Sequence, residues 1–335
     1  MTRENTLLII NPVSGRKKIK PLLYKVVDLF CKHGRKTTIF ITSGPREATE
    51  IVKEHSRGCE RIICCGGDGT LNEIFTGLME TKTNVPVGYI PTGTTNDFAK
   101  THNLPRNIAK AAVAALEGHI GGIDIGIFNE GKFFSYVASF GAFTKVAYKT
   151  PQWLKNFLGR PSYFLYGVSS LKDIKPVGVK VIADGKEVQG DFIFGSVTNA
   201  VYLGGFMLFP SEFVSLNDGM FELFLIRAPK SPKDLQAITE SMLKRRYILT
   251  TENIFQNSFK VFRREQPQVA PKSDFLFGAQ NNDKQVLVLK AKKISFSFTE
   301  PVPWTVDGEF AGEEREVVID NINKAIKIVT TPEAT

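Results

Sequence analysis

Arg61-Ile-Ile-Cys-Cys-Gly-Gly-Asp-Gly-Thr-Leu-Asn-Glu73 reads as a strand that runs directly into a glycine-rich turn and then a helix. The apolar run 61–65 supplies the strand. A helix is expected over 70–79, with Thr70 and Glu73 at capping-box spacing. Cys64 and Cys65 are neighbours in the strand, so they should face opposite sides of a sheet. The glycines let the backbone come close to a phosphate. Consecutive N–H groups in such a turn form an anion-binding concavity, and a helix N-terminus adds its positive dipole end.

Three other strand-like runs end in comparable loops. Residues 7–10 lead into Asn11-Pro12-Val13-Ser14-Gly15-Arg16, 37–42 into Thr42-Ser43-Gly44, and 85–90 into Pro91-Thr92-Gly93-Thr94-Thr95-Asn96-Asp97. Helical spacing separates them, at 21–33 with Leu22, Val26, Leu29 and Phe30 on one face, at 46–54, and in the Ala-rich 107–117. Strands alternating with helices imply a parallel sheet covered on both faces. In such a sheet all strand C-terminal ends share one edge, where ligands bind. Four small, hydroxyl-rich loops therefore converge on one crevice suited to phosphate.

Asp68 is an acidic residue inside a phosphate loop. It can approach a magnesium ion through water, orient an acceptor hydroxyl, or simply accept nearby backbone N–H groups. Asp97 can cap a helix or act on a substrate. The Walker motif, the protein-kinase motif set and the dinucleotide fingerprint are all absent from the sequence.

After Gly121 the pattern becomes β-rich, with strand-like runs at 132–137, 179–183, 191–198, 220–226, 285–289 and 294–298, and helical stretches at 163–172 and 232–247. Asp184-Gly185 is a hairpin signal. The 335 residues suggest two domains: an α/β domain over 1–123, to which 320–335 returns, and a β-sandwich with a few helices over 124–319. The formal net charge of +9 favours polyanionic partners, whether nucleic acid, an anionic membrane or a phosphorylated substrate, and charge alone does not choose among them. No apolar run approaches the ~20 residues of a spanning helix. The four cysteines and four histidines show no zinc spacing. The chain reads as cytoplasmic, and no nucleic-acid recognition pattern is visible.

The motifs Asn11-Pro-Val-Ser-Gly15, Gly66-Gly-Asp-Gly-Thr-Leu-Asn-Glu73 and Pro91-Thr-Gly-Thr-Thr-Asn-Asp-Phe98 resemble the catalytic domain of diacylglycerol kinases, shared by sphingosine, ceramide and bacterial lipid kinases. Leu203-Gly-Gly-Phe-Met-Leu-Phe-Pro210, Asn217-Asp-Gly-Met-Phe-Glu222 and Val306-Asp-Gly-Glu309 resemble later motifs of the same family, in the same order. The resemblance implies ATP bound in a cleft between an α/β domain and a β-sandwich. Its nucleotide positions are Asn11, Pro12, Val13, Ser14, Gly15, Thr42, Gly67, Asp68, Gly69, Thr70, Leu71, Asn72, Glu73 and Thr94. It implies Mg²⁺ held by Asp218 with the carbonyls of Ser215 and Met220, and a general base at Asp307 or Glu309. Without the resemblance, Asp307-Gly308 reads as a hairpin turn.

The implied reaction transfers the ATP γ-phosphate to the hydroxyl of a membrane lipid, diacylglycerol, to give phosphatidic acid; sphingosine, ceramide, undecaprenol and monoacylglycerol are the alternative lipid alcohols. The enzyme is then expected to sit peripherally on the inner, anionic membrane face, docking through Lys244-Arg245-Arg246, Arg263-Arg264 or the apolar 153–158 stretch. Homodimers occur among relatives. The segment 260–283 is longer than the family's usual connection and stands where it could alter substrate choice. Two other readings compete: a kinase of soluble substrates, since NAD kinases and phosphofructokinases also carry Gly-Gly-Asp-Gly-Thr-type loops, and a non-catalytic nucleotide-binding regulator.

Overall fold

The computed structural model describes residues 4–17, 20–141, 175–204, 206–209, 211, 213–244 and 285–331. The expected 163–172 helix, the apolar 153–158 stretch, the Arg245-Arg246 and Arg263-Arg264 pairs and the 260–283 segment lie outside these residues. The chain divides into two compact units. One comprises Met1–Val137, Asn199–Gly219 and Asp320–Thr335; the other comprises Ala138–Thr198 and Met220–Ile319. The first unit thus runs past the expected boundary at 123 and takes in a segment, Asn199–Gly219, from the middle of the second half.

The first unit alternates strands and helices: β1 (Glu4–Ile10), α1 (Leu23–Lys32), β2 (Arg35–Ile41), α2 (Glu47–His55), β3 (Arg61–Gly66), α3 (Asp68–Thr81), β4 (Val87–Pro91), α4 (Asp97–Thr101), α5 (Ile108–Glu117), β5 (His119–Phe128) and β6 (Lys132–Phe134). Strands β2, β1, β3 and β4 pair in that order, all parallel. The chain returns at its C-terminal end, where Ile328 and Val329 lie parallel to Val87 and Gly88. Every residue of β3 is buried, because a central parallel strand is covered on both faces. Cys64 packs into the core beneath α2 and α3, and Cys65 into the core beneath α1 and α5. The two adjacent thiols do face opposite ways, each among aliphatic side chains.

This order creates a switch point. The chain leaves β1 for β2 on one side, then crosses back to place β3 on the other. The two following segments diverge there, which opens a crevice at the C-terminal ends of β1 and β3.

The second unit is antiparallel and built from β7 (Val137–Gly141), β8 (Val177–Ala183), β9 (Lys186–Thr198), β12 (Phe221–Arg227), α6 (Pro232–Lys244), β13 (Val286–Ala291), β14 (Lys293–Val306) and the start of β15 (Glu309–Thr330). The short strands β10 (Tyr202–Leu203) and β11 (Phe206–Met207) form a hairpin in the first unit. Strand β9 pairs β8 along its first half and β12 along its second. Strand β14 likewise pairs β8 through Ile294–Phe298 and β7 through Trp304–Val306. Long strands that change partner midway turn the sheet back on itself. The enclosed core is aromatic: Phe140, Phe296, Phe298 and Trp304 have ring centroids 5.0–6.1 Å apart.

Two hairpins follow the turn chemistry of the sequence. Asp184-Gly185 joins β8 to β9 with φ of 45° and 81°, and Asp307-Gly308 joins β14 to β15 with φ of 47° and 87°. Two consecutive positive φ values define the tight turn that Asp-Gly favours.

Candidate active site

The switch-point crevice is built from backbone in contact with backbone. An alanine Cβ at Gly15 would lie 1.5 Å from the Thr92 carbonyl oxygen, and Gly15 has φ of 53°. A Cβ at Gly93 would lie 2.8 Å from Gly67 Cα, and one at Gly67 would meet Gly93 Cα at 3.5 Å and Ser14 Oγ at 3.6 Å. The first, third and fourth loops therefore touch through their glycines. Side chains lock the contact. Asn11 Nδ2 donates to Thr70 Oγ1 at 2.9 Å, and the Asn11 N–H donates to Cys65 O at 2.9 Å. The N–H groups of Thr92 and Gly93 donate to Gly66 O. Asn11 also folds its own loop, as Oδ1 accepts from the Val13 N–H at 3.1 Å.

Helix α3 starts two residues earlier than the sequence suggests. Gly67 is its N-cap, with no side-chain cap. The capping box expected from Thr70 and Glu73 does not form: the Thr70 hydroxyl serves Asn11, and the Glu73 carboxylate accepts from the Ala48 N–H at 3.2 Å. Asp68, Gly69 and Thr70 thus occupy the first turn, whose N–H groups have no intrahelical acceptors. Gly69 is exposed, and a Cβ there would have no atom within 4 Å. Leu71 faces the core, whereas Asn72 is half-buried.

Asp68 fastens the third loop to the fourth. Its Oδ2 accepts from the Asp97 N–H at 2.9 Å and its Oδ1 from the Phe98 N–H at 3.3 Å, so it caps α4. Burial pushes the Asp68 carboxyl up to about 6, and the Asp97 charge adds to the rise; the two N–H bonds and Lys100 oppose it. Asp97 is buried with its carboxylate 2.7 Å from Lys100 Nζ. It begins α4 without capping it, since Asn96, with φ of 50°, holds the N-cap position. Val13 and Thr94 are exposed, and Pro12 and Ser14 half-buried. Thr42 is buried, its N–H bonded to Ile10 O at 2.9 Å. In the second loop Ser43 and Gly44 turn their N–H groups onto Glu47.

Sequence reasoning missed Asp124. This wholly buried carboxylate accepts from the Gly219 N–H (2.7 Å), the Lys324 N–H (2.7 Å), Asn323 Nδ2 (2.9 Å) and Asn321 Nδ2 (3.3 Å). Its own N–H donates to Leu216 O at 3.0 Å. Asn199 Nδ2 bonds Leu216 O, and Asn323 Nδ2 bonds Asn217 O. One charge therefore organises the loop that carries Ser215 and Asp218. The carbonyls of 216 and 217 are engaged in this network, Asp218 is exposed, and Ser215 and Met220 are half-buried. A carboxylate beside backbone carbonyls is a hard, all-oxygen donor set that fits magnesium. Among the described residues no group of three or more His, Cys, Asp or Glu could hold a metal, so a cation here would lean on backbone oxygen.

In the second unit the turn at Asp307 separates two carboxylates that the sequence left equivalent. Asp307 is 8% exposed, whereas Glu309 stands in solvent. The preceding Thr305 hydroxyl lies 2.8 Å from Ser139 Oγ, which ties β14 to β7.

Residues 5–128 match the diacylglycerol kinase catalytic domain model. The chain is 32% identical over 308 residues to a diacylglycerol kinase of Bacillus subtilis, covering 91% of this chain and 89% of that protein. It is 30% identical over 316 residues to a diacylglycerol kinase of Staphylococcus carnosus, covering 93% and 90%. A crystal structure of a diacylglycerol kinase from Bacillus anthracis has the same fold, with a TM-score of 0.70 at 22% identity over all of both chains. A second crystal structure from that organism aligns with a TM-score of 0.76 and 25% identity over 100% of this chain and 98% of its own. The chain belongs to the diacylglycerol kinase family and is a lipid kinase.

Proposed function

We propose that the protein transfers the γ-phosphate of ATP to the hydroxyl of diacylglycerol, giving phosphatidic acid. The observation that carries this reading is the glycine-lined crevice at the switch point, where three loops meet and the first turn of α3 presents its N–H groups. Phosphoryl transfer needs positioning and charge neutralisation more than covalent help. The α3 first turn, Asp68–Thr70, supplies N–H donors for the ATP phosphates, and the loops at Asn11–Gly15 and Thr94 add the hydroxyls of Ser14 and Thr94. Asp68 acts indirectly, by holding α4 in place. Asp218, with the carbonyls of Ser215 and Met220, would hold a magnesium ion, which when bound neutralises phosphate charge.

Asp307 is the better base of the two candidates. A sheltered carboxylate fixed in a rigid turn can meet a lipid's primary hydroxyl with a defined geometry. Exposed Glu309 has no such constraint. The protein would work at an anionic membrane surface. No described helix is long and apolar enough to cross a membrane, and the net charge of +9 favours reversible docking.

The test is a panel. Purified protein is incubated with γ-labelled ATP, Mg²⁺ and mixed micelles of diacylglycerol, monoacylglycerol, ceramide, sphingosine or undecaprenol, with NAD as a soluble control. Label is expected in phosphatidic acid at the highest kcat/KM. Preferential label in another lipid would overturn the substrate while keeping the mechanism, and transfer to NAD would favour the soluble-substrate reading.

A further inference from the structure

Lys100 occupies an unusual position for a lysine. Its side chain is 10% exposed, and it sits one turn beyond Asp97 on the five-residue helix α4. The ammonium lies 2.7 Å from Asp97 Oδ1 and 5.7 Å from the centre of the Tyr202 ring on β10. Tyr202 comes from the Asn199–Gly219 segment, a hundred residues later in the chain, yet belongs to the same compact unit. A lysine ammonium is strongly hydrated in water, and burying it is costly unless a charge and a π-face receive it. Both are present.

Helix α4 cannot hold itself. Five residues fall far below the length at which a helix is stable alone. Its N-cap Asn96 makes no capping bond. Two charges support it instead, one from α3 and one of its own. Asp68 takes the N–H groups of Asp97 and Phe98, and Lys100 takes the Asp97 side chain while facing Tyr202. One ammonium therefore joins the fourth-loop helix, already bonded to Asp68 of the third loop, to the hairpin that begins the Asn199–Gly219 segment. The far end of that segment is the 216–219 loop held by Asp124.

We propose that Lys100 is a positioning residue for phosphoryl transfer: it seats α4 against the β10–β11 hairpin and so sets the spacing between the phosphate loops and the 215–220 loop. This rests on the reading that the loops at the switch point hold the ATP phosphates. A purely structural ion pair would affect melting alone. A positioning ion pair also sets the kinetic constants, and an arginine at the same place restores them, because its guanidinium can both pair with Asp97 and stack on Tyr202.

The experiment compares the full-length wild type with Lys100→Met, Lys100→Arg and Tyr202→Leu. It reads melting temperature, equilibrium binding of a fluorescent ATP analogue with Mg²⁺, and kcat and KM for ATP at fixed lipid. Lys100→Met is expected to lose about 10–100-fold in kcat/KM for ATP, the scale of a misplacement near 1 Å. Lys100→Arg should recover most of that loss, and Tyr202→Leu, which leaves the ion pair in place, should fall between. If Lys100→Met does not fold, Tyr202→Leu decides alone. Wild-type kinetics in Tyr202→Leu, or lowered melting with unchanged kcat and KM in Lys100→Met, would overturn the proposal. A wild type that fails to bind the ATP analogue would instead overturn the nucleotide reading beneath it.

Discussion

Asp307→Asn is expected to lower kcat by about 10²–10⁴-fold, the usual contribution of a general base, with little change in stability. The structure explains why the two effects separate. Asp307 adopts φ of 47° at the first position of a two-residue hairpin turn. Asparagine accepts this left-handed conformation as readily as aspartate does, so the β14–β15 hairpin should form unaltered. The amide keeps the size and hydrogen-bonding oxygen of the carboxylate and cannot take a proton at neutral pH. KM for ATP should stay close to wild type, since no phosphate contact is assigned to this side chain. Glu309→Gln provides the contrast. Glu309 is exposed, and its substitution should leave kcat within about threefold, the scale of a neutral surface change. Steady-state assays with diacylglycerol micelles, run beside thermal melts, check both. A dead Glu309→Gln with an active Asp307→Asn would reverse the assignment.

Asp124→Ala is expected to be the most destabilising single change in the first unit. It removes one acceptor group that serves four N–H donors at once. Gly219 and Asn321 are buried, and a buried donor left without an acceptor costs about 1–3 kcal/mol, whereas Asn323 and Lys324 are exposed and can turn to water. A net loss of about 2–5 kcal/mol is expected, on the scale of other uncompensated buried groups. The 216–219 loop loses its anchor at Gly219, and Lys324, which has φ of 50° within β15, loses its N–H acceptor. If the loop carries magnesium, the Mg²⁺ concentration giving half-maximal activity should rise in parallel. Asp124→Asn keeps one acceptor oxygen but turns an NH₂ toward other donors, so it should fall between. Denaturant unfolding and magnesium titrations of activity measure the two consequences. An Asp124→Ala protein as stable as wild type, with unchanged magnesium dependence, would show that the network holds nothing in place.

The contrast between these two residues shows what the sequence makes legible. Asp307 sits in a local Asp-Gly-Glu pattern, and its turn can be read from two adjacent residues. The glycine-rich loops are legible for the same reason: glycines cluster between a strand run and a helix run, and strand order then brings the loops to one edge. Cys64 and Cys65 divide between the two faces as simple alternation requires. Asp124 is different. Its partners stand 95 to 200 residues away in the chain, and only the return of β15 and of Asn199–Gly219 brings them together. A faint signal existed, since Asp124 is a lone charge between Ile123 and Ile125 in an apolar strand, and Asn321 and Asn323 repeat at strand period. Neither points to the other without the fold.

The start of α3 differs from the local expectation for a related reason. Thr70 and Glu73 have the spacing of a capping box, but each has a tertiary partner, Asn11 and the Ala48 N–H, that outcompetes the local arrangement. The earlier helix start matters for function. It moves Asp68 and Gly69 into the first helical turn, where N–H groups point outward.

The claim that this turn holds the ATP phosphates is tested most directly at Gly69. Open space surrounds the position a Cβ would take, and no positive φ is required there. Gly69→Ala should therefore fold as wild type or gain up to about 1 kcal/mol from reduced unfolded-state freedom. The added methyl would stand where phosphate must approach the N–H groups. Equilibrium binding of Mg·ATP to wild type and Gly69→Ala, with a melt of each, is the measurement. Wild-type melting is expected, with ATP binding weakened by at least about tenfold, or 1.4 kcal/mol. Unchanged ATP affinity in a well-folded Gly69→Ala protein would contradict it.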